Sequence, residues 1–96
     1  MLKVQWFKLG DTIIRSGDAG EMFYIIMEGH VECWQVLAKE KGLTKERMVR
    51  KLTSGDHFGE LALINPSEVR TLTVRCGSEH VKLLSLDRSS FNRILG

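Results

Sequence analysis

GDTIIRSGDAGEMFYIIMEGHVECWQVL, residues 10–37, alternates short runs of β-branched and aromatic residues with glycine-centred turns. Thr12–Arg15 reads as a strand ending at Ser16-Gly17-Asp18. Met22–Met27 is apolar throughout, which predicts a strand buried on both faces. Glu28-Gly29 turns the chain into Val31–Leu37. The same punctuation continues on either side. Gln5–Leu9 is a short aromatic strand before Gly10-Asp11. Met48–Leu52 runs to the turn Ser54-Gly55-Asp56, and Val81–Leu86 follows Cys76-Gly77. Arg70–Arg75 alternates, so Leu72 and Val74 should face one way and Thr71 and Thr73 the other. Several short strands joined by tight turns predict a mainly β domain, a sandwich or small barrel.

Two segments depart from this rhythm. AKEKGLTKER, residues 38–47, is built of good helix formers. Gly42 interrupts it and its apolar spacing is poor, so it reads as a long hairpin loop. The C-terminal stretch reads as a helix. The Asp87 carboxylate is placed to accept from the first backbone N–H groups. Leu86 and Phe91 fall at the two positions of a hydrophobic staple. Phe91, Ile94 and Leu95 form one apolar face, and Gly96 stands where a left-handed cap would close the helix.

Composition narrows the function classes. The chain has 96 residues, 43% hydrophobic and 27% charged, the balance of a single globular domain. Lys and Arg total 14 against 12 Asp and Glu, a net charge of +2. That is a small excess for a nucleic-acid binder, and the basic stretch Lys39–Lys51 also contains Glu40 and Glu46. No apolar run reaches the ~18–20 residues that span a bilayer. Met1–Gly10 lacks the apolar core of a signal peptide. Cys33 and Cys76 form no C-x-x-C, which fits two free thiols in a reducing, cytoplasmic compartment and leaves one disulfide open.

Chemistry concentrates in GDHFGELALINPSEVRTLTV, residues 55–74. Phe58-Gly59-Glu60 ends a strand, and Gly59 permits a positive φ or a close approach. Leu61-Ala62-Leu63 has the length of one helical turn, whose first N–H groups would point outward as an anion site. Arg70 offers a guanidinium fork that fits two phosphate oxygens. Acid, helix start and Arg together suit a sugar phosphate, with Glu60 accepting from a hydroxyl. The alternative is a plain surface ion pair between Glu60 and Arg70, worth about 0–1 kcal/mol.

F-G-E-L-A-L followed by R-T-L-T-V resembles the phosphate-binding cassette of cyclic nucleotide-binding domains. These are the sensors of cAMP- and cGMP-dependent protein kinases, certain ion channels and bacterial transcription activators. The resemblance extends over nearly the whole chain: Gly10–Arg15, Gly17–Glu21 and Phe23–Ile26 upstream, Val81–Leu83, Leu86–Arg88 and Phe91 downstream. It implies an eight-stranded jelly-roll-like β barrel with a short cassette helix and a C-terminal helix, as one domain over 1–96. By the resemblance, Glu60 accepts from the ribose 2′-hydroxyl and Arg70 pairs with the cyclic phosphate. Backbone N–H groups near Phe58, Gly59, Leu61 and Ala62 complete the cradle, and Thr71 lies beside phosphate and base.

Two positions bear on the base. In cGMP-dependent kinases a Thr commonly follows the cassette Arg, where cAMP-dependent kinases carry Ala. Thr71 fits the former, and its hydroxyl can accept from the guanine 2-amino group; its other reading is β-propensity with phosphate contact alone, since some cAMP-responsive channels also carry Thr there. More selective cGMP sites carry an Arg eight residues before the cassette Phe. Arg50 stands there, suited to donate to guanine O6; its other reading is an exposed strand residue. Val69, Leu72 and a one-residue-longer loop between Glu60 and Arg70 depart from the kinase pattern. The longer loop could displace Arg70.

The expectation is a cGMP-preferring, non-catalytic regulatory domain cut from a serine/threonine kinase, whose catalytic domain it controls in cis or in trans. The alternatives are a cAMP-binding kinase regulatory subunit or a channel sensor. Control would run by population shift, with Leu72 or its neighbours coupling the cassette to Phe91, Ile94 and Leu95. The family's lid over the base would come from helices after Gly96. No cofactor, metal, nucleic acid or membrane insertion is expected. His30, His57 and His80 are isolated beside turns and form no ligand cluster. Ser89-Ser90 suit helix capping better than nucleophilic chemistry. Trp6 and Trp34 suit packing or the rim better than base stacking.

Overall fold

The computed structural model describes residues 2–18, 22–59 and 72–94. Eight strands and a helix follow in order: β1 (Leu2–Lys8), β2 (Thr12–Ile14), β3 (Phe23–Glu28), β4 (His30–Glu40), β5 (Leu43–Thr53), β6 (His57–Phe58), β7 (Thr73–Cys76), β8 (His80–Leu86) and α1 (Arg88–Ile94). They form two four-stranded sheets, ordered β1-β8-β3-β6 and β2-β7-β4-β5. All pairings are antiparallel, giving the jelly-roll-like arrangement expected from the turns. Ile26, Phe58, Val81 and Leu83 of one sheet meet Ile14, Val31, Cys33, Leu52, Val74 and Cys76 of the other in a single inner core.

Aspartates set the turns. Asp11 accepts from the Lys8 N–H through Oδ2 at 2.9 Å, and Asp56 does the same for Thr53 at 2.9 Å. Both are side-chain bonds that close a turn without another strand. Asp87 caps α1 as expected, its Oδ1 accepting from Ser90 N at 2.7 Å. Leu86 and Phe91 share a second, outer cluster with Phe23, Ile25 and Leu84.

Three expectations are corrected. Residues 38–47 are no loose loop: β4 and β5 run to Glu40 and from Leu43, joined at Lys41-Gly42. Both turn residues have positive φ, 49° and 78°, the backbone that matches a two-residue hairpin to strand twist. Helix propensity loses here to cross-strand pairs, among them Arg75 on Glu46 at 2.9 and 3.0 Å. Strand β3 is not buried throughout, because Met27 is 42% exposed. Its start is covered outside by Phe91, but a seven-residue helix is too short to shield its end. Thr73 is buried although it faces away from Val74, since its hydroxyl accepts from Ser16 N at 3.1 Å. Ile94 is 54% exposed, so Phe91 carries the apolar contact of α1 among the described residues. Leu95, Gly96 and the expected cassette helix at 61–63 lie outside them.

Candidate functional site

The chain leaves the first sheet at Phe58-Gly59 and rejoins the second at Thr73. Both flanks are anchored in the same core. Phe58 is buried and stacks on Tyr24, ring centroids 5.0 Å apart at 23°. Leu72 packs on the inner core beside Val74, as alternation predicts. Gly59 has φ 92°, a left-handed conformation that glycine adopts without strain. The backbone turn between β6 and the cassette therefore needs this residue. Glu60, Leu61, Ala62, Arg70 and Thr71 lie outside the described residues.

Arg50 is described. It pairs with Cys33 across β4–β5, and Cys33 pairs in turn with Val74 of β7. Directly opposed residues of an antiparallel sheet point to the same side. Val74, Cys33 and Arg50 thus form one inward-pointing row, next to the row of Cys76, Val31 and Leu52. Arg50 alone of those six is exposed. It stands on β5, an edge strand of the second sheet. Its charge also reaches the core: burial pushes the Cys33 thiol up, and the nearby Arg50 guanidinium partly offsets that. The strand that follows Thr71 and the strand that carries Arg50 thus lie on either side of β4.

The tryptophans point elsewhere. Trp34 lies under the Arg75 guanidinium at 5.6 Å and donates through Nε1 to Glu32 at 3.3 Å. Trp6 is 56% exposed, beside Lys82 and His80 on the outside of the first sheet. Among the described residues no group of three His, Cys, Asp or Glu side chains is placed to hold a metal. Cys33 and Cys76 are buried and free. Burial pushes the Cys76 thiol up as well, against hydrogen bonds with Ser78.

Sequence reasoning missed two contacts. Tyr24 braces Phe58, and His57 meets Phe23 with ring centroids 5.4 Å apart. In both contacts the partner comes from β6, more than thirty residues away. Leu72 packs on the inner core and Phe91 on the outer cluster, so the two belong to different layers.

Two four-stranded antiparallel sheets closed on one core, with the chain leaving one sheet at Phe58-Gly59 and entering the other at Thr73, place the molecule in the class of small jelly-roll-like domains. A sequence profile of the cyclic nucleotide-binding domain matches residues 4–96, and the chain belongs to that family. It is 40% identical to the cGMP-dependent protein kinase isozyme 1 of Drosophila melanogaster over 96 residues, all of this chain and 12% of that protein. It is 42% identical to the cAMP-dependent protein kinase regulatory subunit of Schizosaccharomyces pombe over 90 residues, 94% of this chain and 19% of that one. The structure superposes on the regulatory domain of Toxoplasma gondii PKA crystallised with cAMP, with a TM-score of 0.85 and 36% identity. That match covers 99% of this chain and 34% of the other. The chain is a cyclic nucleotide-binding regulatory domain and is not itself catalytic.

Proposed function

We propose that this domain binds cGMP in preference to cAMP and controls a serine/threonine kinase domain in the cytoplasm. The observation that carries the preference is Arg50, exposed at the open end of an inward-pointing row. A donor there suits guanine O6, where adenine offers a donor instead. Thr71 directly follows Arg70 and adds an acceptor for the guanine 2-amino group. Arg70 holds the cyclic phosphate as a charge-assisted fork. Glu60 accepts from the ribose hydroxyl, and backbone N–H groups from Phe58 to Ala62 complete the cradle. The 40% identity to a cGMP-dependent kinase supports this reading. The 42% identity to a cAMP-dependent regulatory subunit supports the second one, a cAMP sensor.

Regulation follows from differential affinity. The nucleotide favours one arrangement of cassette and α1, and that difference is all it can transmit. The test is paired calorimetric titration with cGMP and cAMP at equal ionic strength. Arg70→Ala should weaken both by roughly 10- to 100-fold or more, the loss of a charged hydrogen-bonded pair. Arg50→Ala should weaken cGMP and leave cAMP unchanged. Equal affinity for the two nucleotides in the wild type removes the cGMP preference and favours the cAMP reading. Normal binding by the Arg70 variant removes the assigned phosphate site.

A further inference from the structure

The β4–β5 hairpin reaches beyond the body of the domain. β7 pairs with β4 only from Val31 to Trp34, whereas β5 pairs with it as far as Glu40–Leu43. Among the described residues, 35–47 therefore form a two-stranded ribbon, closed by the Lys41-Gly42 turn. A two-stranded ribbon with no other strand against it is marginal in water, and exposed apolar residues gain it nothing there. Yet Leu43 at its tip is 74% exposed and Leu37 is 56% exposed. Leu43 has the largest exposure among the large apolar residues described.

Charge surrounds these leucines. Lys39, Lys41, Lys45 and Arg47 are all exposed. Of the two acids on the ribbon, Glu46 is held by Arg75, an ion pair with side chains only 17% and 31% exposed. Glu40 is left against four cations. The cations stand on both faces: Lys45 opposite Ala38 on one, Lys39 opposite Thr44 on the other. A ribbon with Leu43 beside its turn, Leu37 at the bulge behind it and cations on both faces matches a soft planar anionic surface. A folded acidic partner would need a deep cleft to reach both faces at once.

We propose that the ribbon docks the domain on an anionic phospholipid bilayer, with Leu37 and Leu43 entering the headgroup boundary and the lysines among the lipid phosphates and carboxylates. This is a surface contact, not a span; no helix of the described residues is long and apolar enough to cross a membrane. It involves neither Arg50 nor the cassette, so it is independent of the nucleotide reading. Each cation near an anionic leaflet is worth about five-fold in partition, and an inserted leucine roughly ten-fold.

The test is co-sedimentation of the 96-residue chain with vesicles of phosphatidylcholine containing about 30% phosphatidylserine, against phosphatidylcholine alone. Binding is expected to the anionic vesicles only and to weaken as salt rises. L37S/L43S and K39E/K45E should each lower the partition by at least about ten-fold. Their thermal unfolding and nucleotide titrations should match the wild type, since all four positions are exposed. No sedimentation with anionic vesicles overturns the proposal. Binding that both variants retain overturns it as well, because another face is then responsible. Ribbon-dependent binding to a soluble polyglutamate peptide without vesicle binding also overturns it, in favour of an acidic protein partner.

Discussion

Cys33 is the residue at which core and candidate site meet. It is 3% exposed, yet it stands in register with the exposed Arg50 on the edge strand β5. Cys76 lies two residues along β7 from Val74, diagonal to Cys33 across β4–β7. Diagonal neighbours have Cβ atoms about 7 Å apart, beyond disulfide reach. Both thiols are therefore held as small hydrophobes, and burial raises both above their ordinary value of about 8.5. A raised folded-state pKa means that the unfolded chain releases these protons first. The stability they contribute is full below the ordinary thiol value and declines as pH rises beyond it. The urea midpoint should thus fall as pH rises past the ordinary thiol value, and C33A/C76A should flatten the decline. Ellman's reagent should label the native protein slowly and the denatured chain at once. Rapid native labelling would mean the thiols are not enclosed.

Helix α1 has seven residues, too few to persist in water without support. The Asp87 cap is local and legible from sequence, because donor and acceptor are three residues apart. Its position on the sheet is not local. Phe91 meets Phe23 edge-on at 5.2 Å, and Phe23 meets His57, two residues before Gly59. This chain of rings links the cassette flank to the helix on the outside of the first sheet. Phe91→Ala removes an aromatic pair and its buried area, and should speed amide exchange across Arg88–Ile94 by at least about ten-fold. Exchange at Val81 and Leu83 should be unchanged. Asp87→Ala should act in the same direction and lower Tm by about 4–8 °C. Unaltered exchange in the Phe91 variant would show that α1 is held by other contacts.

The molecule as a whole is two sheets closed on one core, with the cassette flanks rooted one in each sheet. Phe58 lies in the first and Thr73 in the second. A ligand held between those flanks favours the closed sandwich over the unfolded chain. At one hundred times its dissociation constant it adds about 2.7 kcal/mol. For a domain of this size that raises Tm by about 10 °C or more. Wild type should show the shift with cGMP, and Arg70→Ala should not. A wild-type Tm that neither nucleotide moves would count against the sensor reading.

Everything governed by near neighbours was readable in the chain: the turn aspartates, the Asp87 cap, the inward alternation of Leu72 and Val74, and the glycine that reverses the backbone after Phe58. These depend on sterics and hydrogen bonds within a few residues. The cassette motifs were readable for another reason, since their residue types and order carry the family resemblance directly. The ribbon was not readable. Residues 38–47 prefer helix weakly, and that preference yields to the pairing of β4 with β5 and to an ion pair between Arg75 and Glu46, 29 positions apart. The burial of β3 likewise depends on Phe91 arriving from the far end of the chain, and the separation of Leu72 from Phe91 depends on which face of a sheet each meets. Such contacts form only after long loops close. Their energies belong to the assembled sandwich, and no local window of sequence contains them.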